Sequence, residues 1–266
     1  MFAVLSFCWH AGHMALADAK PLTRRERQRQ ATYTEIKDLA RQQLAETGPG
    51  ALSLRAIARE MGMSSSALYR YFASYDDLIT ALCIDAFDAV ADALTIARDA
   101  EAADDPTRQW WAIGHAYRRW ALNQPADFAL IFGTPIPGYQ APAEATGPAA
   151  GRFSAVLAGV YVAAVAAKAV DPDRSQVPAS IGTGPLLRTL LGDAVDRYPA
   201  QYAGILLNAW ASLRGYLMGE IFGSLTDLVD DTAQLYGAHL RTVMTGAGFK
   251  SARLDTLTTP EGEAKP

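Results

Sequence analysis

Cysteine, histidine and strand-forming alternation are scarce in this 266-residue chain, and each scarcity excludes something. The two cysteines, Cys8 and Cys83, cannot build a disulfide framework or a zinc ligand set, and they suit a reducing, cytoplasmic setting. There are four histidines, no Ser, Cys or carboxylate at triad spacing and no Gly-rich phosphate loop, so no enzyme, metal or cofactor is expected. Alternating segments and Asn-Gly hairpin turns are missing, which argues against a sheet. The apolar run from Phe153 to Ala167 falls short of the roughly 20 residues that a membrane-spanning helix needs, so no membrane partner is expected. Residues 2–9, followed by Ala15-Leu16-Ala17, imitate a signal peptide, yet no Lys or Arg precedes them. A start at Met14 is the better reading, with residues 1–22 a flexible arm.

Half of the residues are apolar and 20% are charged, the composition of a globular protein. The formal charge of -4 argues against nucleic acid only until the charges are placed. Met1 to Tyr75 holds 10 Lys and Arg against 6 Asp and Glu, a net +4, and the remainder holds 14 against 22, a net -8. Lys20, Arg24, Arg25, Arg27 and Arg29 fall within ten residues and are opposed only by Glu26, a basic arm able to track a phosphate backbone. A solvated helix face is the competing reading of such a run.

The periodicity is helical throughout, and the fold expected is all-α. Thr23-Arg24-Arg25-Glu26 fits a capping box opening a helix to Gly48, with Ile36, Leu39, Ala40 and Leu44 facing inward. Ser53 can cap a helix burying Leu54, Ile57, Ala58 and Met61, and Gly62 stops it. Ser64 then caps a short helix burying Ala67, Leu68, Tyr71 and Phe72, and Ser74 caps a long one from Tyr75 to Arg98. Two short helices around a tight turn make a helix-turn-helix. The second presents Ser64, Ser65, Ser66 and Ala67 at its N-terminus, small enough to enter a major groove. Tyr69, Arg70 and Tyr71 adjoin them, with groups able to bond phosphates or base edges.

Further helices are expected over 106–123, 125–133, 152–168, 185–195, 199–223 and 227–245, and residues 133–151 are too rich in Pro, Gly and Ala to be anything but a long loop. The domains expected are a helix-turn-helix domain over 23–74, an effector-binding and dimerisation domain over 75–248, and a disordered tail over 249–266. Trp110, Trp111, His115, Phe128, Phe132, Tyr139, Trp210 and Arg214 are candidates for an apolar, aromatic effector pocket, against the competing reading that they are simply core, which for any single one of them is the commoner outcome. Gly215, Gly219 and Gly223 form a row that allows a second helix to come close, either a partner's or one of the chain's own.

Leu52 to Leu78 resembles the DNA-binding signature of the tetracycline-repressor (TetR) family of bacterial transcription regulators. The likeness is carried by Gly62, Met63, Ser64, Leu68, Tyr69, Tyr71 and Phe72. It implies a three-helix DNA-binding domain joined to a larger helical domain, a homodimer through residues 199–245, and a pseudo-palindromic double-stranded operator. By the same resemblance Ser53 and Tyr71 would bind phosphates, Ser65, Ser66, Ala67 and Tyr69 would face bases, and Arg24, Arg25 and Arg27 would touch flanking backbone. Tyr75 stands where the family usually has Lys or Arg. Phe128 to Tyr139 and Trp210 to Gly215 resemble a subgroup with a Trp-His-Gly element, in which Arg214 replaces the His. The function expected is a regulator, most often a repressor, released by a small hydrophobic or aromatic effector. The alternative is an effector-insensitive DNA-binding dimer.

Overall fold

The computed structural model describes residues 23–48, 52–133, 135–175, 177–178, 182, 184–185, 188, 198–225 and 228–258. Ten α-helices follow one another among them: α1 (Arg24–Thr47), α2 (Leu54–Glu60), α3 (Ser65–Leu68), α4 (Tyr75–Asp99), α5 (Pro106–Asn123), α6 (Pro125–Phe132), α7 (Ala143–Ala166), α8 (Ala200–Ile221), α9 (Thr232–Gly246) and α10 (Ser251–Leu254). No strand occurs among the described residues, only an isolated antiparallel bridge between Val170 and Phe249. The expected arm over 1–22 and the start at Met14 lie outside the described residues, as does most of the helix expected over 185–195.

The caps form as the residues demand. Glu26 N–H donates to Thr23 Oγ1 while the Glu26 carboxylate accepts from Thr23 N–H at 2.7 Å, which closes the capping box of α1. Ser53, Ser64 and Ser74 each accept a backbone N–H from the residue three further on, starting α2, α3 and α4. Pro106 and Pro125 open α5 and α6, where a missing N–H costs nothing.

Two apolar cores result. The first joins α1, α2, α3 and the first two turns of α4 through Ile36, Ile57, Leu68, Phe72, Leu78 and Leu82. The second lies among α4, α5, α7, α8 and α9. The α4 helix serves both, and so does α6, whose Ala126 and Leu130 pack on the first core while Phe128 and Phe132 pack in the second. Charge fastens the same junction: Asp85 on α4 accepts from Lys37 and Arg41 of α1, each at 2.6 Å, and Arg41 Nε lies 3.5 Å from Asp127 on α6.

Asp127 is 6% exposed, and burial pushes its carboxyl above the usual 3.8, with Arg41 opposing. The folded state therefore holds this proton more tightly than the unfolded chain does. Stability from this group is present at low pH and is lost as pH rises through and above 3.8. Asp127→Asn cannot ionise. Its urea midpoint relative to the native chain should rise between pH 4 and pH 7, and a difference that does not change with pH would refute the assignment.

Two expectations fail. Residues 133–151 are not all loop, because α7 begins at Ala143 and carries Pro148 inside it. Thr146 and Ala149 are buried in this first stretch, and packing of α7 along α4 outweighs the one backbone bond that Pro148 cannot make. So extended, α7 is long and apolar enough by length and composition to cross a membrane. Its Phe153, Val156, Val160 and Tyr161 are instead buried in the second core. Nor is the tail disordered from residue 249: Phe249, Leu254 and Leu257 are buried in the second core, and Trp111 Nε1–H donates to the Thr258 carbonyl at 2.9 Å. Residues 259–266 lie outside the described ones.

Candidate nucleic-acid interface and ligand cavity

The turn between α2 and α3 runs through Gly62 at φ +65°, and Met63 N–H closes it on the Ala58 carbonyl at 2.8 Å. Beyond it Ser64, Ser65, Ser66, Tyr69 and Arg70 are exposed and Ala67 is half-buried. Ser64 Oγ is already engaged, accepting from Ala67 N–H and lying 3.0 Å from Ser66 Oγ, so its first role is to shape the helix end. Regular α-helix stops at Leu68, and i to i+3 bonds from Arg70 to Ala67 and Tyr71 to Leu68 carry the chain on to Phe72. Tyr69 is 44% exposed, an aromatic ring held in water beside three serines. Tyr71 and Tyr75 are half-buried, packed against the first core, and burial together with Asp76 raises the Tyr75 hydroxyl above its usual range. Arg24, Arg25 and Arg27 are exposed on the first turn of α1.

The effector candidates divide between two faces of α5. Trp110, Ile113, Tyr117 and Trp120, at i, i+3, i+7 and i+10, look toward α6, α7 and α8, where Phe132 lies 5.8 Å from Phe153 and 5.7 Å from Trp210. Trp110, Tyr117, Phe153 and Trp210 close, with aliphatic neighbours, on a cavity of about 20 Å³, room for on the order of one water molecule. Trp111 and His115 sit elsewhere. Trp111 packs under Arg241 against the tail, and His115 lies between Trp111 and Tyr236, so neither lines the cavity. Tyr139 is also apart: its hydroxyl meets Thr80 Oγ1 at 3.0 Å beside the first core. Tyr117 and Phe153, absent from the expected pocket, are part of it. The i, i+7 spacing of Tyr117 from Trp110 carried that signal.

Arg214 lies at the edge of the aromatic cluster, its Cζ 4.9 Å from the Trp210 ring and Nη1 3.4 Å from the Phe132 carbonyl. Burial holds the Tyr117 hydroxyl well above its ordinary range, with Trp210 and Arg214 opposing, so it is a neutral donor at every physiological pH.

Residues 36–82 match the family of tetR bacterial regulatory proteins, and residues 110–243 match the tetracyclin repressor-like C-terminal domain. A helix-turn-helix-type transcriptional regulator of Mycobacterium tuberculosis is 36% identical over 219 residues, 80% of this chain and 91% of the relative. Its counterpart in Mycobacterium bovis matches equally. The chain belongs to the TetR family of transcriptional regulators. The crystal structure of SCO4313, a protein assigned a regulatory role, superposes with a TM-score of 0.66 at 37% identity, over 84% of this chain and 100% of that one. PfmR, a TetR-family regulator of Thermus thermophilus, shares the fold at a TM-score of 0.52 and 16% identity, over 79% of this chain and 97% of its own.

This TetR-family chain does not present its three glycines as one open row. Gly215 faces open space, but a side chain at Gly219 would meet Leu225 of the same chain at 3.1 Å, and Gly223 lies past the end of α8 at φ +80°. Two of the three therefore have intramolecular reasons, one a packing contact and one a helix stop.

Proposed function

We propose that this regulator is a cytoplasmic homodimeric repressor that binds a pseudo-palindromic operator and leaves it when a small hydrophobic or aromatic effector binds. The observation that carries the DNA contact is the exposed tip of Ser65, Ser66 and Tyr69, flanked by Arg70 and by the arginines of α1. Ser53 and Tyr71 are assigned to phosphates, and Ser65, Ser66, Ala67 and Tyr69 to bases. Tyr75, half-buried and uncharged, contributes at most one hydrogen bond. Dimerisation is assigned to α8 and α9, whose Leu207 and Leu235 are exposed. In the segment resembling the Trp-His-Gly element, Arg214 supplies a permanent charge where the subgroup has a titratable ring.

Coupling between the two parts runs through α4 and α6. Movement of Phe128 or Phe132 around an effector shifts Ala126 and Leu130, which pack on the DNA-binding core, and shifts Asp127 beside Arg41. The effector must bind the DNA-free arrangement more tightly for this to release the operator.

The test is a gel shift on the DNA upstream of the protein's own gene. Tyr69→Ala should weaken specific binding by about 1–3 kcal/mol, roughly 10- to 100-fold, with the helical circular dichroism unchanged. Binding that survives undiminished sinks the base contact. The closed cavity favours a second reading, an effector-insensitive dimer. Thermal-shift screening separates the two, because a ligand that binds only the folded state raises stability with its concentration.

A further inference from the structure

Tyr117 Oη, Trp210 Nε1 and Arg214 Nε are buried polar atoms of the cluster around Phe132 that complete no hydrogen bond of good geometry among the described residues, although the Trp210 indole lies close enough to the Tyr117 oxygen to favour its ionised form slightly. Tyr117 is 3% exposed and lines the cavity, as does Trp210. A buried polar group left unbonded costs about 1–3 kcal/mol, and even with the indole directed at the phenol oxygen the Tyr117 O–H and the Arg214 Nε–H still want an acceptor, which calls for an external partner. The chemistry of the set is one-sided: indole and guanidinium N–H groups only donate, and the phenol donates once. Among the described residues no carboxylate contacts Arg214, whose neighbours are the Phe132 carbonyl and the Trp210 ring. The aliphatic wall beyond, formed by Leu157, Leu206 and Leu213, offers nothing polar.

We propose that the effector is an apolar or aromatic monocarboxylate, its carboxylate held by Arg214, Trp210 and Tyr117 and its body lodged between α5, α7 and α8. This rests on the ligand-responsive reading above. A cavity of about 20 Å³ admits no such molecule as it stands. Leu157 and Leu206, with Trp210, are the partly buried members of its wall, on α7 and α8, and displacement of the two leucines opens it from the outside. The bound state therefore differs from the one described, which an effector needs in order to shift an equilibrium.

The experiment uses the full chain and matched acid and amide pairs, benzoate with benzamide, 2-naphthoate with 2-naphthamide and octanoate with octanamide, read by tryptophan fluorescence and thermal shift at pH 7. At least one acid should bind tenfold or more tightly than its amide. Arg214→Gln should weaken that acid by roughly 10- to 100-fold, the loss of a charge-assisted hydrogen bond, and Arg214→Lys should restore part of it. Amides that bind as well as the acids, or an Arg214→Gln variant that binds the acid undiminished, overturn the carboxylate assignment and leave a ligand-responsive regulator standing. If neither acids nor amides bind while operator binding is intact, both readings fall together. The acid-to-amide comparison in the native chain needs no variant to fold.

Discussion

Glu220→Ala should lower the unfolding free energy by about 3–5 kcal/mol, the usual loss when one partner is removed from a buried ion pair. Glu220 on α8 accepts from Arg118 Nη2 at 2.6 Å and from Nε at 2.9 Å, and the two side chains are only 4% and 3% exposed. The alanine variant leaves a guanidinium at a dry junction of α5, α8 and α9, with the Tyr236 ring 5.5 Å away and Thr232 Oγ1 at 3.4 Å. Glu220 also stands in the last turn of α8, where the helix dipole disfavours an anion, so only its partner makes it tolerable there. A melting temperature lower by roughly 10 °C is the corresponding signal in a chain of this size. Arg118→Met combined with Glu220→Leu should recover most of the loss, because replacing both charges by apolar groups of similar volume removes the cost of burying them. A single variant as stable as the native chain would show that water reaches the pair.

Local chemistry was legible wherever it was self-contained. Thr23, Ser53, Ser64 and Ser74 cap helices because the groups they satisfy lie within three residues of them. The stripe Ile36, Ala40 and Leu44 is buried because one helix face fixes it. The aromatic cavity was half legible. The period of α5 separates Trp110 and Tyr117 from Trp111 and His115, but aromatic type alone groups all of the rings together. What a residue meets across the fold was not legible. Tyr139 packs under the DNA-binding core because α6 and the chain after it turn back that way. Phe249, Leu254 and Leu257 sit in a polar stretch whose burial depends on a partner groove between α5, α7 and α9.

That groove makes Gly248 the position where the mildest substitution should do most harm. Gly248 has φ +92°, and a Cβ there would stand 2.3 Å from the Asp171 carbonyl oxygen, a backbone atom that cannot swing aside. The two strands of chain are tied at this point: Asp171 N–H donates to the Gly248 carbonyl at 2.9 Å, and Lys250 N–H donates to the Ala169 carbonyl at 3.1 Å. Gly248→Ala must force them apart. The left-handed conformation costs an alanine about 1–2 kcal/mol, and the overpacking adds about 1–3. The separation also loosens Phe249 from Trp110, whose ring lies 5.6 Å away, and through it the back wall of the aromatic cavity. The urea midpoint should therefore fall by the equivalent of about 2–5 kcal/mol, and trypsin should cut after Lys250 and Arg253 much faster than in the native chain. The same substitution at Gly159, in the interior of α7 with nothing within 4 Å, should instead raise stability by up to about 1 kcal/mol. Opposite signs from one chemical change would locate the effect in the crossing of residues 169–171 with 248–250. Equal effects at the two positions would mean that the tail is not held there.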